Sequence, residues 1–174
     1  MSLLLCYCRI MGCNFLKNCL GARLDDTQLC DIPHCRLELA THIGLKVLQT
    51  GAVLGVMSAP LNLVLSGNAG SPLCAYRQKA YEYGRNGLAL GALAAPLIYW
   101  VYARQFTDEE CYNRAYRLRI NRCTLTTDRL SALGVGVGIG TAYYLGEKLS
   151  QGALFGFVGG WLLGESMLKV LTCQ

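Results

Sequence analysis

The sequence predicts an all-α membrane protein: four transmembrane helices packed through Gly-xxx-Gly seams, with a Cys-rich N-terminal arm and a short extramembrane helix between helices 2 and 3. Three observations predict it. The 174-residue chain is 53% hydrophobic and only 16% charged, against roughly 25% charged in an average soluble domain, so it has few charges with which to solvate a water-facing surface. Four stretches are apolar over about 20 residues, the length that crosses a bilayer as a helix. Glycines recur four apart within them, as in "GALFGFVGGWLLGE" at 152–165, where a helix stacks them on one face. Strands of a membrane barrel would be about 10 residues long and alternate strictly; these stretches do neither.

Residues 1–40 read as a Cys-rich extramembrane arm and 41–174 as the four-helix transmembrane domain. The opening "MSLLLCYCRIMGCNF" lacks the basic n-region of a secretory signal and is not an Arg/Ser-rich presequence, so an organelle address is expected to be internal. The first span is expected at 43–65, with Lys46 near its end and able to snorkel. A loop at 66–83 follows, carrying Gly67, Gly70 and Pro72, and then a second span at 84–102 that ends in Tyr99, Trp100 and Tyr102. Aromatics at a span's end suit the membrane interface. Pro60 and Pro96 fall inside spans, where kinks are expected. The connection at 103–126 is long and charged. Its "TDEE", Thr107 to Glu110, is a capping box, so "CYNRAYRLRI" should form a short helix. The third span is expected at 127–145, opened by Asp128 and Arg129 and closed by Tyr143 and Tyr144. "GEKLSQ", at 146–151, reads as a tight hairpin leading into the fourth span at 152–171, which has Lys169 near its end.

Each span carries a seam of small residues. The first has Gly51, Gly55 and Ala59; the second Gly87, Gly91 and Ala95; the third Gly134, Gly138 and Ala142, with Gly136 and Gly140 on another face; the fourth Gly152, Gly156, Gly160 and Gly164. Lipid is as apolar as Leu, so membrane helices associate by close packing, which small residues permit.

This pattern, over about residues 40–171, resembles the mitochondrial inner-membrane translocase superfamily, whose four-helix members carry a glycine seam in each helix. They include protein-import channel subunits and an accessory membrane subunit of respiratory complex I. The stretch 108–129 also resembles a branch in which the second helix is followed by an acidic turn, a Tyr-Arg-Leu-Arg segment, an Asn, and an Asp-Arg pair opening the third helix. Here these are Tyr116, Arg117, Leu118, Arg119, Asn121, Asp128 and Arg129. Import and transport members place an Arg, three residues, then an Asp before the third helix's glycines, with a small residue just ahead of the glycine. Here five residues separate Arg122 from Asp128 and Val135 precedes Gly136, which leaves the respiratory-subunit reading ahead of the channel reading.

The candidates for chemistry are few. Glu165 is the deepest ionisable residue, and an intramembrane carboxylate is a functional-site candidate by default; an interfacial position or a basic partner is the plainer expectation. Asp128 suits the positive end of the third helix as a cap, with a salt bridge to the Arg-rich loop as the alternative. Arg114, Arg117, Arg119 and Arg122 cluster beside the membrane, where they would attract anionic headgroups such as cardiolipin or an acidic neighbouring subunit. The plainer reading is a solvated loop paired to Asp108, Glu109 and Glu110. His34 and His42 have no Ser or Cys partner at a recognisable spacing, and no P-loop, dinucleotide fingerprint or HExxH occurs. "GVGVGIG" follows no strand and fits a helix. The net charge of +5 comes with no nucleic-acid-binding motif, so no nucleic acid is expected as a partner.

Ten cysteines occur, six of them (Cys6, Cys8, Cys13, Cys19, Cys30 and Cys35) in the arm. Their short gaps are one C-x-C and two C-x₄-C, a weak match to the paired C-x₂₋₄-C of a zinc site, and disulfides fit better, so no metal is expected. Four spans place both termini and the 103–126 loop on one side, together with Cys111, Cys123 and Cys173, while Cys74 alone lies opposite. Disulfides persist in oxidising compartments. Counting basic residues would place the terminal side in the matrix; the cysteines and the resemblance place it in the intermembrane space, with at least two disulfides of open connectivity among the nine. The chain therefore reads as a non-catalytic accessory subunit of an inner-membrane respiratory assembly, complex I foremost, that braces neighbouring membrane subunits and anionic phospholipid without any cofactor. The alternative is a protein-import or small-solute translocase subunit, in which Gln49, Thr50, Asn62, Asn86 and Glu165 would line a polar cavity.

Overall fold

The computed structural model describes residues 14, 17–18, 21–22, 24–67 and 72–172. Among these residues the chain is all helical: α1 (Asp26–Cys30), α2 (Cys35–Leu65), α3 (Leu73–Ala103), α4 (Asp108–Ile120), α5 (Arg122–Tyr144) and α6 (Leu149–Thr172). The helices α2 and α3 pack along their length as one hairpin and α5 and α6 as another, with α4 laid against α2. Both α2 and α3 are long and apolar enough to cross a membrane. At 31 residues each they run about 46 Å, well beyond an apolar bilayer core of about 30 Å.

Three boundaries differ from the sequence reading, each for a local reason. The helix α2 starts at Cys35, so residues 35–40 are already helical; Pro33 stands just before it, and Glu38 has a buried partner described below. The helix α3 starts at Leu73, directly after Pro72 as N-cap, so most of the expected 66–83 loop is helical. Hydropathy hid this segment because it is polar. Its residues are nevertheless linked along the helix, Gln78 donating to Glu82 at 3.0 Å and Lys79 pairing with Glu82 at 3.4 Å. The helix α5 starts at Arg122, with Asn121 as N-cap accepting from the Thr124 backbone N–H at 3.3 Å. Asp128 is therefore inside the helix and does not cap it.

Other local signals are realised as the residues suggest. The Thr107 hydroxyl accepts from the Glu110 N–H at 3.3 Å while the Glu110 carboxylate accepts from the Thr107 N–H at 3.1 Å, a reciprocal cap for α4. At the end of α5 the Glu147 N–H reaches the Ala142 carbonyl at 2.8 Å and the Gly146 N–H the Tyr143 carbonyl at 3.3 Å. This is the Schellman arrangement, and Gly146 sits at φ +68°, where glycine escapes the Cβ clash.

The two hairpins close in the same way. A methyl group at Gly51 would meet the Gly87 carbonyl oxygen at 2.5 Å, and one at Gly91 the Val47 carbonyl oxygen at 3.0 Å. In the second hairpin, Gly134 lies against Gly156 and Gly160, Gly138 against Gly152 and Gly156, and Gly164 against Thr127. The helices meet backbone to backbone, where each glycine admits the other's carbonyl. Gly136, Gly140 and Gly159 meet nothing within 4 Å and lie on outer faces. Between the hairpins a small apolar core forms from Ala52, Leu154 and Val158, with Val53, Val56 and Phe157 around it. Many large apolar side chains stay outside: Leu93 is 72% exposed, Tyr144 88% and Leu133 65%. An apolar surface of this extent in water would mark an association or membrane-contact face.

Candidate functional site

Polar side chains gather at the end of the molecule where α2 and α5 begin and α4 crosses. Arg119, on α4, is the centre of the first cluster. Its guanidinium forms a bidentate pair with Glu38 of α2, Nε donating at 3.0 Å to one carboxylate oxygen and Nη2 to the other. Its Nη1 donates to the backbone carbonyls of Gln28, at 2.9 Å, Leu29, at 3.3 Å, and Asp31, at 2.9 Å. The Arg119 side chain is 1% exposed and that of Glu38 2%. Each of the three nitrogens of the fork has a partner, so the pair is compensated in the way a buried ion pair requires. One residue thereby ties α4 to α1 and to the start of α2.

The second cluster joins the two hairpins. Asp128 of α5 accepts from Lys46 Nζ at 2.7 Å and from Gln49 Nε2 at 3.1 Å, both on α2. Gln49 is 1% exposed and also reaches Ser131 Oγ at 3.2 Å while accepting from Lys46 at 3.1 Å. His42 Nδ1 stands 3.7 Å from the second Asp128 oxygen. Among the described residues, Asp128 thus pairs with α2. Lys46, Gln49 and His42 link the largely apolar α2 to Asp128 and Ser131 of α5 through a polar network.

The expected arginine cluster is divided. Arg119 is internal. Arg114 is exposed, stands 4.2 Å from the Phe106 ring centre and 5.4 Å from that of Tyr102, and donates to the Tyr102 hydroxyl. Arg117 is exposed and has no ion-pair partner among the described residues. The side chain of Arg122 lies outside the described ones, as do Cys6, Cys8, Cys13, Cys19 and Cys173. Asp108 pairs with Arg36 of α2 at 2.8 Å. Glu165 is half-buried on α6.

Among the remaining cysteines, Cys30, Cys74 and Cys123 are exposed thiols, whereas Cys111 is buried and Cys35 half-buried. The last two come together one turn from the Arg36–Asp108 bridge. Burial, and then the hydrogen bond to Cys35, push the Cys111 thiol up to about 11. Among the described residues no three His, Cys, Asp or Glu side chains are grouped to hold a metal.

Beside these clusters a groove of about 1240 Å³ runs between α2 and α3. Its floor includes Gly51, Gly55, Gly87 and Gly91, its walls Leu54 and Leu90, and α4 overhangs one end with Arg114 and Arg117 at the rim. The groove was not legible in the sequence, because it arises where α3 and α4 meet α2. Of the residues expected to line a polar cavity, Thr50 and Asn86 are in the wall, whereas Gln49 points to α5.

No curated protein matches the chain. Residues 15–167 match the family model described as "Protein of unknown function (DUF1757)". That span takes in every helix from α1 to α5 and most of α6, so both clusters and the groove fall within it, and the chain belongs to the DUF1757 family.

Proposed function

We propose that this protein is a non-catalytic structural subunit of a membrane assembly, crossing the bilayer with four helices and bracing neighbouring subunits and lipid. The observation that carries the reading is how the polar groups are used. Among the described residues, no buried side-chain nitrogen or oxygen lacks a partner, and the buried charges Arg119 and Glu38 are spent on each other. The outward surface of α2 and α3 is apolar on helices long enough to span. Catalysis needs groups held ready for a substrate; here the polar groups hold helices together. The glycine contacts within each hairpin are those expected of helices that associate in lipid.

The respiratory assembly of the mitochondrial inner membrane is the setting that the superfamily resemblance favours, with complex I first. The termini and the α3–α4–α5 connections would face the intermembrane space, where the cysteines of that end could oxidise. Cross-linking of the assembled protein in its membrane tests this. Neighbours among proton-pumping subunits are the expected result; contacts with presequences or import receptors would overturn it. The groove favours a second reading, a translocase subunit. Its mainly apolar walls suit an aqueous path less well than an apolar occupant.

A further inference from the structure

From the groove between α2 and α3 we infer that this protein holds one anionic phospholipid, its acyl chains along the apolar trough and its phosphate at Arg114 and Arg117 under α4. The inference rests on the reading that α2 and α3 lie in a membrane. The trough extends along α2 from Leu39 to Ser58, about 28 Å at about 1.5 Å per residue, longer than a small metabolite needs. Its volume of about 1240 Å³ exceeds the roughly 300–1,000 Å³ of ordinary small-molecule sites. Leu54 and Leu90 in its walls are 65% and 68% exposed, so the trough is apolar and uncovered by this chain.

Charge selects the occupant's headgroup. The lining carries three cations, Lys46, Arg114 and Arg117, against one carboxylate, Glu110. The carboxylate caps the α4 N-terminus through the Thr107 N–H, and Lys46 is neutralised by Asp128. The two arginines remain, both at the same end. Arg114 is held in place by Tyr102 and Phe106, so its guanidinium is oriented before any lipid arrives. A planar guanidinium matches phosphate oxygens bidentately. An amphipathic ligand with an anion at one end and long apolar chains reproduces this layout; a protein segment would need an acidic residue followed by an extended apolar run.

The test uses the full chain in nanodiscs of phosphatidylcholine with phosphatidylglycerol, followed by transfer to detergent and native mass spectrometry of the retained lipid. The wild type should keep one phosphatidylglycerol per chain. Arg114→Gln with Arg117→Gln should reduce the preference for phosphatidylglycerol over phosphatidylcholine by about thirtyfold, about fivefold per arginine near a membrane surface. Leu90→Trp, at an exposed wall position, should abolish retention of either lipid while leaving thermal unfolding unchanged. Absence of retained lipid in the wild type overturns the inference, as does a headgroup preference that ignores the arginine changes. A polypeptide found in the groove by cross-linking from position 90 would overturn it in favour of a protein occupant. Resistance to carbonate extraction is measured in parallel. A chain that stays in the membrane yet keeps no lipid refutes the lipid site alone, and a chain released by carbonate refutes the membrane reading itself.

Discussion

Replacing Arg119 should loosen one end of the molecule without unfolding it. In Arg119→Met the Glu38 carboxylate, 2% exposed, loses both of its charge-assisted bonds. Removing one partner of a buried pair costs about 3–5 kcal/mol. The carbonyls of Gln28, Leu29 and Asp31 lose their donor as well, each at about 1–3 kcal/mol if it stays buried. These costs can be relieved locally: if α1 and α4 peel away, water reaches the carboxylate and the carbonyls while both glycine-packed hairpins stay intact. The expected change is therefore in local opening, by about a hundredfold or more for the first 3 kcal/mol. Hydrogen exchange read by mass spectrometry in detergent measures it. Peptides covering 24–38 and 108–120 should exchange about a hundredfold faster, and those covering 130–160 should be unchanged. Adding Glu38→Leu should recover part of the protection, since the unpaired charge is gone while the carbonyls still lack a donor. Exchange within twofold of wild type at both peptides, or a double variant no better than Arg119→Met, would refute the reasoning.

The glycine contacts make a paired prediction: Gly138→Ala, whose methyl would strike the Gly152 carbonyl, should destabilise by about 1–3 kcal/mol as overpacking does, and Gly140→Ala, which meets nothing within 4 Å, should leave the thermal midpoint unchanged or raised. Asp128→Asn should lower thermal stability by about 1.5–3 kcal/mol, the range for hydrogen bonds to charged groups, and converting Lys46 to Met in the same chain should return part of it; an Asp128→Asn midpoint equal to wild type would show that the bridge between hairpins adds nothing. In reduced protein, alkylation should reach the exposed Cys30, Cys74 and Cys123 before Cys111, which should react only as pH approaches about 11. Because the fold raises this thiol above its usual 9, its contribution to stability is full below about pH 9 and is lost as pH rises towards about 11. If the terminal end faces an oxidising compartment, peptide mapping of protein isolated with its thiols blocked should find Cys35 joined to Cys111; two free thiols at these positions would argue for a reducing one.

Periodicity and composition already specify much of this molecule. The four-residue recurrence of glycine is a property of the chain, and a helix has one face on which such residues can fall. The Thr107–Glu110 cap and the turn at Gly146 are equally local, since their partners lie within five residues. What the sequence leaves open is set by distance along the chain. Arg117 and Arg119 are two residues apart with the same chemistry, yet one faces solvent and the other is buried. The difference lies in Glu38, 81 residues away, and in the α1 carbonyls, which no pattern within α4 reveals. Asp128 likewise looks like a helix cap until Lys46 and Gln49, about 80 residues earlier, are brought against it. Hydropathy also misplaced the start of α3, because a polar stretch of helix keeps its hydrogen bonds while lacking an apolar signature. The groove exists only through the packing of α3 and α4 against α2. The sequence determines which helices form and which of their faces are small; the tertiary structure decides which charges remain available, because burying one ionic group requires a partner that only the fold can deliver.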